Sequence, residues 1–292
     1  MTAARVALPV PNSGGTSRPR FKAPANACDC HVHVYDPRFP MAWRSLPRVT
    51  DATVREYRRL QERIGTTRAV IVQPAAYGTD NRVTVDAVAQ LGPDAARGVA
   101  VALPSITDAE LAALHEAGIR GLRFSIHDPH TEIAGADMIE PLALRIHELG
   151  WHVQLHARAE QVAALEPMLA ALPCAVVLDH FARLPQPEGV HHPAMPAVRR
   201  LLDKGRTWVK LCAPYLDSRT GSPRYADMKL LAGALVKAAP ERVVWGSDWP
   251  HPTEPHTKPD DAALLDLLQE WIGDEATRRR VLVSNPSALY GF

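Results

Sequence analysis

Five side chains scattered along the sequence share one kind of chemistry. His31 and His33 stand two apart in the run DCHVHV, His156 sits near the end of HVQLHA, His180 closes AVVLDH, and Asp248 follows RVVWGS. Imidazole and carboxylate are the ligands of Zn²⁺ and similar divalent ions, and a catalytic zinc keeps one position open for water. The ion lowers the pKa of that water from about 15.7 toward about 7, which makes hydroxide available at neutral pH. A neighbouring aspartate can orient this nucleophile and accept its proton, and a further imidazole or guanidinium can polarise a carbonyl. One histidine on a strand is ordinarily a core or surface residue with a satisfied hydrogen bond, and His31-x-His33 alone recurs by chance. The joint pattern does not. The other histidines read as ordinary: His127, His130, His191, His192 and His256 lie in polar or Pro-flanked loops, and His115 and His147 in helical patterns.

The elements that carry these residues are short apolar runs. Eight are strand-like: Asp29–Val34, Arg68–Pro74, Arg97–Leu103, Ile119–Ile126, His152–Ala157, Ala175–His180, Thr207–Ala213 and Arg242–Ser247. They recur about every 30 residues, the length of a strand, a crossover helix and two loops. Between them lie amphipathic stretches with helix punctuation: Thr107 and Glu110 form a capping box, and Gly65, Gly118, Gly150 and Gly273 stand where helices should end. Runs apolar on both faces belong in a parallel sheet covered by helices. No Gly-rich phosphate loop follows the first run, so an open nucleotide-binding sheet loses support. The expected fold is a (β/α)₈ TIM barrel, an α/β architecture whose functional groups gather at the C-terminal ends of the strands. All five residues fall there, with Arg123 on the fourth run and Lys210 on the seventh. Alternation places His31 and His33 on one side of their strand, and Cys28 and Cys30 on the other, toward the helices. Lys210 is also expected to face the helices.

Composition sets the outer bounds. The 292 residues are 46% hydrophobic and 22% charged, with 33 basic against 32 acidic side chains. That is an ordinary globular chain, and its near-neutral charge gives no warrant for a nucleic-acid or anionic-membrane partner. No run approaches the ~20 apolar residues needed to span a bilayer. The Pro-broken start is a poor secretory signal, and four cysteines in a chain this long do not make a disulfide framework. A cytoplasmic protein is expected, with residues 1–26 as an N-terminal arm and 27–292 as one barrel domain.

Several longer motifs carry a resemblance. Cys-Asp-Cys-His31-Val-His33-Val, Leu178-Asp179-His180, Trp245-Gly-Ser-Asp248-Trp-Pro-His251-Pro and Asn285-Pro-Ser-Ala-Leu-Tyr290 resemble the amidohydrolase superfamily. Gly78-Thr-Asp-Asn81 and Gly121-Leu-Arg-Phe124 are similar to the branch of 2-pyrone-4,6-dicarboxylate lactonase and 4-sulfomuconolactone hydrolase. The resemblance runs from about Ala27 onward. It implies a (β/α)₈ barrel that hydrolyses a ring ester bearing acidic groups, with His31, His33, His156 and Asp248 around one ion and His180 serving substrate or catalysis. The pyrone lactonase works without metal and has no histidine at the position of His156, so His156 here favours a mononuclear site, expected to hold zinc. A metal-free site in which His156 only donates to substrate is the alternative. Arg123 cannot act as a bridging ligand, because its guanidinium stays protonated. The resemblance implies instead that Arg123 and Arg183 hold acidic groups of the substrate, with Tyr77, Arg219 and His251 as further contacts.

The expected partner is a small-molecule acidic lactone, opened with Asp248 as general base; a homo-oligomer is open. The rival readings are a metal-dependent decarboxylase of an aromatic or muconic acid, a sugar-acid lactonase, and a non-catalytic anion-binding barrel.

Overall fold

In the computed structural model, which describes residues 9–43, 49–130 and 132–292, eight parallel strands follow one another in chain order. They are β1 (Cys28–Val32), β2 (Arg68–Val72), β3 (Ala96–Ala100), β4 (Ile119–Ser125), β5 (His152–His156), β6 (Val176–Leu178), β7 (Thr207–Cys212) and β8 (Val243–Gly246). One main helix follows each strand: α1 (Val54–Ile64), α2 (Arg82–Leu91), α3 (Asp108–Glu116), α4 (Ile139–His147), α5 (Ala159–Ala171), α6 (Met195–Asp203), α7 (Met228–Ala238) and α8 (Asp261–Trp271). Two short helices, α9 (Glu275–Arg279) and α10 (Asn285–Tyr290), come last. Just past the strand ends, Asp248 N–H donates to the His31 carbonyl at 2.9 Å and His33 N–H to the Trp249 carbonyl at 2.8 Å, joining β8 to β1. The (β/α)₈ barrel is the fold.

The local signals act as expected. Gly65 ends α1 at φ 84, and at α3 the Thr107 hydroxyl accepts from Glu110 N–H while the Glu110 carboxylate accepts from Thr107 N–H. The outward strand residues, among them Ile71, Leu122, Val153, Leu211 and Val243, join one apolar core with Leu60, Leu142, Val198, Leu235 and Leu265 of the helices. Each such side chain contributes about 1.5–3 kcal/mol on burial. Inside the ring, Cys28, Cys30, Val70, Val72, Val99 and Val244 form a second apolar layer with Tyr290 of α10.

That inner layer corrects one expectation. Cys28 and Cys30 do not face the helices. The register of β1 slips between Asp29 and Val32, and an extra residue in a strand breaks the alternation. Asp29 turns outward, where the Tyr57 hydroxyl of α1 lies 3.4 Å away; Cys30 and His31 then both turn inward. The cysteines remain core residues, and all four in the chain are free and buried.

The described part of the N-terminal arm is fastened to the barrel. Trp249 Nε1 donates to the Pro11 carbonyl at 2.9 Å, and Asp266 accepts from Phe21 N–H at 2.8 Å. Residues 1–8 of the predicted arm lie outside the described residues. Among the described residues no helix is long and apolar enough to cross a membrane.

Candidate active site

The irregularity in β1 is what presents the histidine pair. A side chain on Gly246 of β8 would meet His31 Cβ at 2.6 Å and its backbone nitrogen at 2.8 Å, so only glycine lets the displaced His31 backbone lie this close. His31 Nε2 and His33 Nε2 end 3.3 Å apart, and Asp248 Oδ1 stands 3.5 Å from the first and 3.6 Å from the second. Asp248 reaches them from a left-handed backbone conformation, φ 67. Asp29, on the outer side of β1, steadies that turn by accepting from Ser247 N–H at 2.8 Å and Ser247 Oγ at 2.6 Å.

His180 arrives by a different device. Residues His180, Phe181, Ala182 and Arg183 all have φ between 50 and 57, a left-handed turn in which each non-glycine residue costs about 1–2 kcal/mol. Such a turn persists only where its surroundings over-determine it. Here Phe181 is fully buried, edge-on to Trp271 with ring centroids 5.3 Å apart. The turn sets the His180 ring 4.8 Å from that of His31.

These donors fit a divalent ion. His33 Nδ1 donates to the Val72 carbonyl at 2.8 Å, which leaves its Nε2 lone pair free. His31 Nδ1 lies 3.4 Å from Asp179 Oδ1 and 3.3 Å from Lys210 Nζ; the tautomer that donates to Asp179 carries its lone pair on Nε2, toward His33. Two lone pairs and a carboxylate oxygen at such distances repel unless a cation or shared proton lies between them. Three ligands of a tetrahedral zinc with bonds of about 2.0–2.1 Å stand about 3.3–3.4 Å apart. His180, with its Nδ1 buried and unpartnered among the described residues, and Cys212 form a second ligand-capable group with His31.

Beneath the pair lies a buried layer of charge. Asp179 accepts from Arg123 Nε at 3.0 Å and Gln154 Nε2 at 3.1 Å, with Lys210 Nζ 3.6 Å away. Burial alone would raise the Asp179 carboxyl, but the facing His31 ring and the charges of Lys210 and Arg123 outweigh it and hold it well below the usual carboxylate range. Lys210 corrects a second expectation: it points into the barrel, not toward the helices. Its ammonium donates to the Cys30 carbonyl at 2.9 Å and to Gln154 Oε1 at 2.8 Å. Burial, then the charge of Lys210, lowers His31 well below an ordinary imidazole, and burial lowers His180 to about 4. Both rings are neutral at pH 7, the form that ligates a metal. Burial works against ionisation of Asp248 too, yet the facing rings of His33, His180 and His31 outweigh it and hold its carboxyl below the usual carboxylate range.

His156, expected as a ligand, lies beside His180 with ring centroids 4.9 Å apart, but its nitrogens are not grouped with those of His31 and His33. Its Nε2 faces Arg183 Nη1 at 3.1 Å, its Nδ1 lies 3.2 Å from Ser125 Oγ and 3.4 Å from Arg123 Nη2, and its ring stacks on His127 at 3.9 Å. A neutral imidazole has one lone pair, and the Arg183 guanidinium occupies it. His127, expected in solvent, is half-buried here, and burial lowers it to about 4.

The expected substrate contacts divide. Arg183 holds Asp217 through two hydrogen bonds of 2.8 and 3.2 Å while touching His156, so it borders the site with Arg123. Tyr77 is buried, exchanges hydrogen bonds with the backbone of Asp36, and lines a cavity of about 690 Å³ with Tyr35, Phe39 and Met41. Arg219 does not reach the histidines: its Nε donates to the Gln186 carbonyl at 2.7 Å and fixes a loop. His251, expected to contact substrate, is fully buried behind Asp248. Tyr215, which the sequence did not single out, donates its hydroxyl to Asp248 Oδ2 at 2.6 Å and lies 3.0 Å from His251 Nδ1. A tyrosine in a loop carries no spacing signal. Lys210 did carry one, since its two-residue offset from the inward Cys212 places both on one face.

The chain matches the family model described as amidohydrolase over residues 28–292. It is 36% identical over 284 residues to 2-pyrone-4,6-dicarbaxylate hydrolase of Comamonas testosteroni, covering 94% of this chain and 93% of that protein. It is 34% identical over 276 residues to 4-sulfomuconolactone hydrolase of Rhizobium radiobacter, covering 93% and 92%. It is also 33% identical over 282 residues to D-galactarolactone isomerase of Agrobacterium fabrum, covering 95% and 94%. With the match running from β1 through α10 and a ligand-capable cluster at the strand ends, the chain is an enzyme of the amidohydrolase family.

Proposed function

We propose that this enzyme hydrolyses a lactone bearing carboxylate or sulfonate groups, using one divalent ion, zinc by preference, held by His31, His33 and Asp248 with His180 beside them. The observation that carries the reading is the convergence of two imidazole nitrogens and one carboxylate oxygen within 3.6 Å of one another. The zinc, when bound, supplies a water of lowered pKa. Asp248 orients that water and takes its proton on a carboxylate oxygen. The water oxygen bonds to the lactone carbonyl carbon, the ring C–O bond breaks, and Asp248 returns the proton to the leaving oxygen, so one water is added overall. His180, its ring 4.8 Å from that of His31, would hydrogen-bond the developing oxyanion. Arg123 and Arg183 offer guanidinium groups to the acidic substituents, and an anion there would compete with His156 for Arg183. Four unpaired, buried thiols agree with a reducing, cytoplasmic setting.

A second reading has one observation behind it, the isomerase among the relatives: a hydroxyl of a sugar-acid lactone would replace water as the nucleophile. One experiment separates these. Protein purified without chelator is analysed for metals and incubated with unsaturated and sugar-acid lactones, and the products are followed by NMR. About one zinc per chain and a ring-opened acid are expected. An isomeric lactone would establish the second reading, release of CO₂ a decarboxylase, and a metal-free protein that is inert but stabilised by acids a binding barrel.

A further inference from the structure

Behind Asp248 runs a line of buried and half-buried polar groups that the proposed chemistry does not use. The two oxygens of Asp248 face different partners: Oδ1 the histidine pair, Oδ2 the Tyr215 hydroxyl. Tyr215 in turn meets His251 Nδ1, and His251 Nε2 lies 3.2 and 3.3 Å from the two carboxylate oxygens of Asp261 at the start of α8. His251 and Asp261 are both fully buried. Asp261 then accepts from the hydroxyl of Ser13 in the N-terminal arm, and Ser13 accepts from the Arg63 guanidinium of α1. The arm is held at this point on both sides, since Arg63 also donates to the Gly15 carbonyl at 3.0 Å, and Gly14 N–H to the Pro259 carbonyl at 2.7 Å.

A carboxylate swings about its χ2 bond unless something holds one oxygen. We infer that Tyr215, His251 and Asp261, locked by Ser13 of the arm, are positioning residues that fix Asp248 with Oδ1 toward His31 and His33. The N-terminal arm is thereby part of the working site, although Ser13 stands 235 positions before Asp248 and touches neither histidine. Partners that orient a ligating group ordinarily change metal affinity or activity about 10–100-fold when removed. This inference rests on the metal-dependent reading proposed above.

The test uses the full chain, stripped of metal and titrated with Co²⁺ by absorbance, and separately reloaded and assayed on a lactone that the wild type opens. Tyr215→Phe keeps the ring and removes the hydroxyl. It should weaken cobalt binding about 10–100-fold and lower kcat by a similar factor, with KM moving less. His251→Asn retains a donor near the Nδ1 position and should stay closer to wild type than His251→Gln, whose amide reaches toward Asp261 instead. Ser13→Ala should show a smaller loss of the same kind. Melting temperatures are recorded for each variant. Wild-type-like cobalt affinity and kcat in Tyr215→Phe, with only the melting temperature lowered, would overturn the inference while leaving the metal reading intact. A wild-type protein that takes up no cobalt would overturn that reading and this inference with it.

Discussion

The chemistry at the residue scale depends on which groups stay charged. Asp248 keeps its negative charge in a buried site because the facing rings of His33, His180 and His31 outweigh desolvation. Asp248→Asn preserves the shape and removes the proton acceptor, so kcat should fall about 10²–10⁴-fold in steady-state assays. Retention of more than a tenth of wild-type kcat would remove Asp248 from the proton step. The sequence made this residue and the histidine pair legible, since both lie at strand ends in a run of apolar neighbours. It put His156 at the same rim, where the structure sets its ring between Arg183, Arg123 and His180. Whether an imidazole at the end of β5 turns to the His31 pair or to two guanidinium groups depends on Arg183, which a left-handed turn swings to within 3.1 Å. Four consecutive positive φ values with no glycine among them have no sequence signature.

At the scale of elements, the barrel was readable because each strand is apolar on both faces. The places where strands depart from regularity were not. The slip in β1 resets the alternation, so a period-two reading sends Cys30 to the wrong side while leaving His33 correct. Its counterpart is Gly246, whose missing side chain makes room for His31. Gly246→Ala puts a methyl against backbone as well as a side chain, and overpacking of this kind costs about 1–3 kcal/mol. The variant should melt at a lower temperature and lose activity beyond what its melting explains, because the displaced atoms belong to His31. A Gly246→Ala protein with unchanged kinetics would show that the β1 geometry is not held from β8.

At the scale of the whole molecule, the interior below the site determines how the protein responds to acid. His152 faces inward, edge-on to Tyr290 at 5.3 Å, and burial lowers it to about 3. The unfolded chain takes up that proton near pH 6.5. The unfolded form therefore binds more protons between about pH 6.5 and 3, and stability falls as the pH drops through that window. His152→Leu removes this proton uptake, so its melting temperature should fall less than that of the wild type between pH 7 and pH 4.5. Equal losses in both proteins would assign the acid sensitivity to other groups. The docking of the arm was beyond reading from sequence for a different reason. Its hydrogen bonds join Ser13 to Asp261 and Phe21 to Asp266, pairings across most of the chain that no local pattern announces.

The join between the first and last strands has a temporal side. During synthesis both histidines of β1 leave the ribosome early, whereas Asp248 and the strand that carries it come near the end. A growing polypeptide thus exposes two imidazoles and no completing carboxylate, a weak chelator open to whichever cation it meets. Only when β8 is laid beside β1 does the third donor arrive, so the set proposed to hold a metal is complete only once the barrel has closed.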